Sequence, residues 1–543
     1  MSLTSLDFAS AVHQRRTFAI ISHPDAGKTT LTEKFLLYAG AVGEAGAVKS
    51  RRVARGTRSD WMALEQERGI SVSSTVMHFS WGDWHFNLLD TPGHADFSED
   101  TYRTLCAADA AIMVLDFAKG LEPQTLKLFK VCRDRGLPIV TFVNKCDRPG
   151  LGPLGLIDSI EAEIGVRPVP FNWPVGDGPG FVGIVDRETR NLVRVGDTQS
   201  GTRKGTFIEE PFATADPGAC PTDRWEQVGE ELDLLDMDDR DFDHDAFMDG
   251  KISPMFFGSA LHNFGVEILL RGFAELAPPP SAQPVIDAKD TAATTIIGHR
   301  DLDAPFSGQV FKIQTNMNPR HRDRMAFLRV NSGVFERGMS ATLARTGRSY
   351  QLKYAHQLFA ADRNSVDAAV PGDIVGLVNA TDLVPGDTLY MDKPATFLPI
   401  PTFAPEQFMS VRLGDTSRAK QFRNGLVQLD EEGVIHVLRR LDLGDQLPIL
   451  AGVGALQFEV AAHRFEHEFG APVRFEPLPW VEARRIDASA VDALRDQFRS
   501  IIVQNSRGQY LILFGSTVAL DKAITDHPDI TFVELGTGLA IRR

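Results

Sequence analysis

The feature that most constrains the fold is a short apolar run followed by a loop of small residues. Residues 18–21 are predicted as a buried strand, and the loop Ser22-His-Pro-Asp-Ala-Gly-Lys-Thr-Thr30 leads into a helix predicted over 31–39. Backbone N–H groups of such a loop wrap the phosphates of a nucleotide, with Lys28 neutralising charge and Thr29 holding Mg²⁺. The strict pattern has glycine where this loop begins with serine, so a strand, turn and helix without a ligand is the alternative for this segment alone.

A second segment, Leu88-Leu-Asp-Thr-Pro-Gly-His94, again ends an apolar strand in a polar residue. Asp90 can hold Mg²⁺ through water. Gly93 has no side chain, so its N–H can approach a γ-phosphate closely. The segment therefore predicts a loop that faces the end of a nucleoside triphosphate.

Two further segments point to the base. Asn144-Lys-Cys-Asp147 follows an apolar run at 137–143, and Phe256-Phe-Gly-Ser-Ala-Leu261 follows a strand-like run. The Asp147 carboxylate can accept hydrogen bonds from N1–H and the 2-amino group of guanine, donors that adenine lacks at those positions. The stem of Lys145 can cover one face of the base, and a backbone N–H of the second segment can reach guanine O6.

Alternating strand and helix signals over 15–276 predict a parallel sheet with helices on both faces. The predicted strands are 17–21, 71–80, 85–89, 110–115, 137–143 and 254–258. Each polar segment alone also fits an ordinary strand end. Four of them in this order, at the carboxyl edge of one parallel sheet, predict a guanine-nucleotide site.

Composition fits a large protein of several domains. The 543 residues are 43% hydrophobic and 24% charged, and no apolar run has the length needed to span a bilayer. The N-terminus lacks a basic-then-apolar signal pattern, so we expect a cytoplasmic protein. The cysteines form no CxxC pair and are predicted as reduced thiols: Cys106, Cys132, Cys146 and Cys220.

Charge is segregated along the chain. The net charge of −15 argues against a nucleic-acid partner, but an acidic run at 226–249 stands apart from basic clusters at 49–58 and 320–324. A phosphate-rich partner can meet the basic faces, although a solvated surface is the alternative for each cluster. Asp241-x-Asp243-x-Asp245 resembles a calcium loop but lacks its later glycine and glutamate, so it is interpreted as an acidic surface element.

The pattern predicts three units. Residues 1–280 form the nucleotide-binding unit with an acidic insertion at about 151–250, the Pro-rich stretch 277–284 begins a linker, and 281–397 hold short β runs typical of a small β-barrel. Residues 398–543 alternate strand and helix signals, which predicts an α+β unit. The alternating segments are 408–413, 417–430, 434–439, 454–468, 473–475 and 490–504.

The motifs together resemble a known family. The three segments beginning at Ser22, Asp90 and Asn144, with Gln66-Glu-Arg-Gly-Ile-Ser71, are similar to those of translational GTPases. Within that group the chain resembles the bacterial class-II peptide chain release factors over nearly its whole length. The segment Gly454-Ala-Leu-Gln-Phe-Glu-Val460 is similar to their C-terminal domain.

The resemblance implies roles for individual residues. His94 would orient the attacking water, with Ile70 and Pro24 as an apolar gate beside it. Ser71, where many relatives carry threonine, would give its hydroxyl to Mg²⁺ together with Thr29, and Asp90 would hold the ion through water. The implied nucleotide-binding residues are Asp25, Ala26, Gly27, Lys28, Thr29, Thr30, Gly93, Asn144, Lys145, Asp147, Ser259, Ala260 and Leu261. For His94 the alternative is an ordinary surface turn residue.

The implied activity is hydrolysis of GTP to GDP, activated by the ribosome. It would promote dissociation and recycling of class-I release factors from the ribosome after peptide release. The protein would act as a monomer with GTP or GDP and Mg²⁺ as cofactors, and it would have no membrane partner. Two alternatives stay open: a nucleotide-gated ribosome-binding module with incidental hydrolysis, and a translocation or ribosome-protection factor. The last is disfavoured because the chain ends at Arg543, without room for further C-terminal domains.

Overall fold

The fold was analysed in a computed structural model of the chain. The described residues are 5–41, 72–196, 206–238, 241–287, 296–315, 324–359, 362–400, 404–441 and 444–535. Ser71, Ile70 and the basic cluster at 49–58 lie outside them. No helix among the described residues is long and apolar enough to cross a bilayer.

A mostly parallel sheet forms the first unit, as the alternating pattern predicts. Its strand order is β2-β3-β1-β4-β5-β11-β6, and only β2 runs antiparallel to its neighbour. The strands are β1 Arg15–Ser22, β2 Thr75–Trp81, β3 Trp84–Asp90, β4 Ala110–Asp116, β5 Ile139–Asn144, β6 Arg167–Pro170 and β11 Ile252–Phe257. Strand β4 is buried throughout, which is typical of a sheet covered on both faces.

Helices cover this sheet. They are α1 Ser5–His13, α2 Lys28–Tyr38, α3 Ser98–Leu105, α4 Pro123–Asp134, α5 Pro153–Ile164, α6 Thr222–Met237, α7 His244–Met248 and α8 Val266–Leu276. Helix α2 begins three residues before the predicted start, because Gly27 supplies a left-handed N-cap. Phe18 contacts Phe35 of α2 and Phe273 of α8, so apolar packing fixes the helix that follows the phosphate loop.

The predicted acidic insertion is only partly separate from the main sheet. Strand β6 is an edge strand of the parallel sheet, and helix α5 precedes it in the chain. A separate four-stranded antiparallel sheet follows. Its strands are β7 Asn172–Val175, β8 Gly183–Asp186, β9 Asn191–Val195 and β10 Phe207–Pro211. Asp243 caps α7 by accepting from the N–H groups of Asp245 and Ala246, which agrees with a surface element rather than a cation loop.

The middle of the chain is β-rich, as predicted. Its strands are β12 Gln283–Ile286, β13 Ile296–Arg300, β14 Ser307–Thr315, β15 Arg324–Ser332, β16 Phe335–Glu336, β17 Ser340–Leu343, β18 Arg348–Gln351, β19 Ala355–Phe359, β20 Asp362–Ser365, β21 Ala368–Ala369, β22 Ile374–Val378 and β23 Thr388–Tyr390. They enclose an apolar core that includes Val310, Leu328 and Leu377. This barrel continues into the parallel sheet through the pairing of Phe359 with Met77.

Over its described residues, the C-terminal unit is an eight-stranded antiparallel sheet with three helices. The strands are β24 Gln407–Leu413, β25 His436–Arg440, β26 Gly444–Gly452, β27 Val473–Pro477, β28 Glu482–Ile486, β29 Ser500–Gln504, β30 Tyr510–Phe514 and β31 Val533–Glu534. The helices are α9 Ala419–Glu432, α10 Ala455–His467 and α11 Thr517–Asp526. The α+β prediction is confirmed.

One predicted helix in this unit is wrong. In the predicted alternation of strands and helices, the segment 490–504 is the helix after the strand at 473–475. The structure instead has a loop there that leads into strand β29. Its residues Ile501, Ile502 and Val503 suit a strand, and β29 lies between β25 and β30. The four cysteines form no disulfide, as predicted, and burial raises the pKa of Cys132 to about 12.

Buried charges connect the three units around helix α3. We call this cluster the charged seam; its members are Glu99, Asp100, Arg103, Lys312, Glu432, His436 and Arg464. Lys312 of the barrel donates to Asp100 at 3.0 Å and to the Ser74 carbonyl at 2.7 Å. Glu99 lies 2.6 Å from the His436 ring, and Glu432 accepts hydrogen bonds from Arg464. The helix after the His94 motif is therefore packed against both other units.

Candidate nucleotide site

The four predicted polar segments meet at one edge of the parallel sheet. We call this region the nucleotide edge: the carboxyl ends of strands β1, β3, β5 and β11 with the loops that follow them. Parallel strands place their carboxyl ends together, so segments far apart in sequence become neighbours.

The phosphate loop has the strained backbone that its sequence requires. Gly27 has φ of 101°, and Asp25 has φ of 66°. A Cβ atom on Gly27 would lie 2.2 Å from Nδ2 of Asn144, so no side chain fits there. Thr29 and Thr30 follow in the first turn of α2, where backbone N–H groups favour an anion.

Asn144 joins the phosphate loop to the base loop. Its Nδ2 donates to the Ala26 carbonyl at 2.8 Å, while its Oδ1 accepts from the Ala260 N–H at 2.9 Å. The Lys145 N–H also donates to this oxygen at 2.9 Å. One buried amide side chain therefore sets the spacing between the two predicted ends of the nucleotide.

Lys145 is held in place by a residue that sequence reasoning missed. Its Nζ donates to Asp116 at 2.7 Å and to the Asp25 carbonyl. Burial raises the pKa of Asp116, but hydrogen bonds from Lys145 and the Ala118 N–H lower it by a larger amount. The net pKa of Asp116 therefore lies below its ordinary value. The signal was present, since Asp116 ends an apolar strand as Asp90 does.

Lys28 and Asp90 form a buried ion pair at the phosphate end. Lys28 Nζ lies 2.6 Å from Asp90 Oδ1, and the two side chains are 6% and 3% exposed. Thr91 Oγ1 donates to the Ile20 carbonyl at 2.7 Å, which ties this loop to strand β1. The pair brings an ammonium group and a carboxylate to the same point of the phosphate loop.

The residues present fit a magnesium ion. Thr29 supplies a hydroxyl beside Lys28, and Asp90 supplies carboxylate oxygen, the hard donors that Mg²⁺ prefers. Ser71, the third predicted ligand, lies outside the described residues.

The base end presents buried polar atoms that suit guanine. Among the described residues, Asp147 Oδ1 and Ser259 Oγ are buried without a hydrogen-bond partner, although buried polar atoms normally have one. Asp147 Oδ2 lies 3.7 Å from Nε2 of His262. The Leu261 carbonyl accepts from Lys34 Nζ at 3.2 Å, and burial lowers the pKa of Lys34 to about 8 although Glu33 opposes the shift.

Gly93 and His94 lie beside the phosphate loop. A Cβ atom on Gly93 would be 3.4 Å from Cα of Pro24, which shows how closely the two backbones approach. The His94 side chain is 41% exposed, and its Nδ1 lies 3.4 Å from Oδ1 of Asp96. Among the described residues, the charged group within 4 Å of this ring is thus the Asp96 carboxylate, two residues along the chain.

Comparison with known proteins first defines the class. A family model described as the elongation factor Tu GTP binding domain matches residues 13–279, and one for elongation factor G domain 2 matches 305–392. A crystal structure of a protein from Thermus thermophilus has a TM-score of 0.68 and 23% identity, covering 87% of this chain and 68% of that one. The fold is that of a translational GTPase, which binds guanine nucleotide.

The C-terminal part and the whole chain then define the family. A family model described as class II release factor RF3, C-terminal domain, matches residues 397–523. The peptide chain release factor 3 of Acaryochloris marina is 46% identical over 529 residues, 96% of each chain. That of Symbiobacterium thermophilum is 46% identical over 532 residues, 96% of this chain and 98% of its own. The chain belongs to the peptide chain release factor 3 family, and it is a GTPase of translation termination.

Proposed function

We propose that GTP hydrolysis by this protein on the ribosome drives class-I release factors off after peptide release. The observation that supports this is the packing of helix α3, which directly follows the His94 motif. Arg103 of α3 donates to the Glu432 carbonyl at 3.1 Å, and Glu99 pairs with His436. The C-terminal unit therefore contacts the helix that follows the His94 motif. Loss of the γ-phosphate would then change how the units are oriented.

The proposed site divides into three groups of residues. Lys28, Gly93 and the backbone of 25–30 would hold phosphates, while Asn144, Lys145, Asp147 and the loop Ser259-Ala-Leu261 would hold guanosine. Thr29, Ser71 and, through water, Asp90 would hold Mg²⁺, which neutralises charge between the β- and γ-phosphates.

His94 is the proposed catalytic residue. Hydrolysis of GTP depends mainly on positioning and charge stabilisation, so a group that orients the attacking water can control the rate. We expect His94→Ala to bind GTP like the wild type and to lose ribosome-stimulated turnover. Unchanged stimulated turnover would remove His94 from the mechanism.

The proposed organisation is a nucleotide-binding unit over 1–280, a linker and barrel over 281–397, and a C-terminal unit over 398–543. We propose that the protein works as a monomer in the cytoplasm, since its target there is the terminating ribosome. The barrel contacts the first unit through Arg329, which donates to the Ala107 carbonyl at 2.7 Å and pairs with Asp109.

The test measures the dissociation rate of a fluorescent class-I release factor from ribosomes after peptide release. The protein is added with GTP, with GDP or without nucleotide. Nucleotide-dependent acceleration would support the proposal. No acceleration, on ribosomes that still stimulate its GTPase, would move the function to another step of termination.

A further inference from the structure

The first turn of helix α10 in the C-terminal unit is capped from two units, and Gln457 of its own first turn accepts from the N–H groups of Val453 and Gly454. Its N-cap residue is Gly454, which has no side chain to accept the free N–H groups of the turn. The N–H of Leu456 instead donates to Oδ2 of Asp96 at 2.8 Å. A carboxylate from the nucleotide-binding unit therefore caps a helix of the C-terminal unit.

The same residue contacts the proposed catalytic histidine, because its backbone N–H donates to His94 Nδ1 at 3.4 Å and its carboxylate lies beside that nitrogen. Asp96 Oδ1 lies 3.4 Å from His94 Nδ1, while its other oxygen accepts from Leu456. Asp96 is 18% exposed, and the positive end of the α10 dipole stabilises its charge. His94 is thereby linked, through one side chain, to the position of the C-terminal unit.

Apolar contacts reinforce this position. Val460 of α10 forms one buried cluster with Phe97 and Val72 of the nucleotide-binding unit, and Phe97 and Val72 are each 4% exposed. Val72 follows the predicted magnesium ligand Ser71, and Phe97 follows Asp96. One helix of the C-terminal unit therefore contacts the chain immediately after both segments that are proposed to sense γ-phosphate.

We propose that Asp96 is a positioning residue that withholds His94 while α10 is docked. When α10 moves away, Asp96 loses the Leu456 N–H, the His94 ring is released, and it becomes free to orient the attacking water. The proposal rests on the proposed catalytic role of His94. It adds that the C-terminal unit restrains hydrolysis in the absence of the ribosome.

The chain offers a test from each side of the contact. Asp96→Ala removes the carboxylate. Gly454→Ala displaces it, since an added Cβ would lie 2.1 Å from Asp96 Cγ, whereas the extended φ of −147° at Gly454 accepts alanine. Gly155→Ala, in open space within α5, is the matched control. Each variant is made alone and with His94→Ala, and ribosome-free kcat and KM for GTP are measured.

We expect Asp96→Ala and Gly454→Ala to raise ribosome-free kcat by about 3-fold to 100-fold, since small displacements of a catalytic group have effects up to this size. KM should stay at the wild-type value, Gly155→Ala should change neither constant, and both increases should disappear with His94→Ala. An unchanged or lower kcat in both variants would overturn the proposal, as would increases that persist without His94.

The outcomes separate this proposal from the one on which it rests. If His94→Ala retains ribosome-stimulated turnover, the catalytic assignment of His94 fails. If that variant loses stimulated turnover while Asp96→Ala and Gly454→Ala keep the wild-type ribosome-free rate, only the role of Asp96 fails.

Discussion

The nucleotide edge and the charged seam are both polar and largely buried, but they use their polar groups differently. At the edge, the protein leaves Asp147 Oδ1 and Ser259 Oγ without partners among the described residues. At the seam, the carboxylates of Glu99 and Glu432 each accept from side chains of two elements. Asp100 Oδ1 and Arg103 Nε of the seam also lack a partner within the described part of the chain, so the difference between the two regions lies in the ion pairs that join different units at the seam.

This difference predicts that the two regions respond to different measurements. A substitution at the edge should change nucleotide affinity with little change in thermal stability. A substitution at the seam should lower stability with little change in affinity. A variant that changed both equally would show that the two regions are a single energetic unit.

The largest effect is expected for Asp147→Asn. Loss of the two charge-assisted hydrogen bonds that the Asp147 carboxylate would make to guanine should weaken GTP binding by about 2–5 kcal/mol, or roughly 30-fold to several thousand-fold. Titration calorimetry with GTP and ATP checks this, with Asp158→Asn on the exposed face of α5 as control. Equal binding of GTP and ATP by the wild type would refute the base assignment.

The asparagine variant also has a predicted gain. Xanthine carries a carbonyl where guanine has its 2-amino group, so an asparagine amide can donate to that carbonyl and accept from N1–H. We expect Asp147→Asn to bind XTP more tightly than the wild type does. The opposite order would mean that Asp147 does not contact this edge of the base.

The next effect is expected at the seam, for Glu432→Ala. Arg464 is 4% exposed and would lose one of its two carboxylate partners, keeping Glu468. Breaking a buried ion pair should destabilise the protein by about 3 kcal/mol. Differential scanning calorimetry should show a lower unfolding midpoint, whereas Glu466→Ala on the exposed side of α10 should not. A normal midpoint would show that the pair adds nothing to docking.

A pH effect of intermediate size is expected from Glu99 and His436. Burial lowers the pKa of His436, but the Glu99 carboxylate raises it more, so the net pKa lies above 6.5. Burial raises the pKa of Glu99, but His436 and Arg103 lower it to about 2. The pair is thus fully charged between about pH 4.5 and 6.5, and its stabilisation is lost as pH rises through the folded-state pKa of His436.

We therefore expect the unfolding midpoint to fall as pH rises above 6.5, by an amount up to that of one charge-assisted hydrogen bond, about 1.5–3 kcal/mol. His436→Gln should have a smaller fall over the same range, because its side chain does not titrate. Identical pH profiles for the variant and the wild type would assign the effect to other groups.

The smallest effect is expected for Asp116→Asn. Asparagine still accepts one hydrogen bond from Lys145 but loses the charge, so GDP affinity should fall by about 1 kcal/mol, or roughly fivefold. Stopped-flow measurement with a fluorescent GDP analogue checks this. A loss as large as that of Asp147→Asn would mean that Asp116 itself contacts the nucleotide.

The two regions also differed in how well the sequence predicted them. The edge was predicted because each of its segments is contiguous and follows an apolar strand, and parallel strands bring such segments together. Asp116 was missed although it follows the same rule. The site assignments themselves remain predictions until nucleotide binding is measured.

The seam was not predicted, because its pairs join distant parts of the chain. Glu99 and His436 are 337 residues apart, and an isolated acidic residue on a helix is normally a solvated one. The link from His94 through Asp96 to Leu456 was invisible for the same reason. The helix expected over 490–504 failed because a run of β-branched residues paired with neighbouring strands.

The amide of Asn144 has a consequence for the thermodynamics of binding. All three of its hydrogen bonds are made to the protein itself, so the phosphate loop and the base loop are aligned by folding. Little backbone conformational entropy then remains to be lost when a nucleotide binds, and the ordering of these loops is part of the free energy of folding. The affinity of this edge therefore depends on the hydrogen bonds that Asn144 makes within the protein as well as on its proposed contact with guanosine.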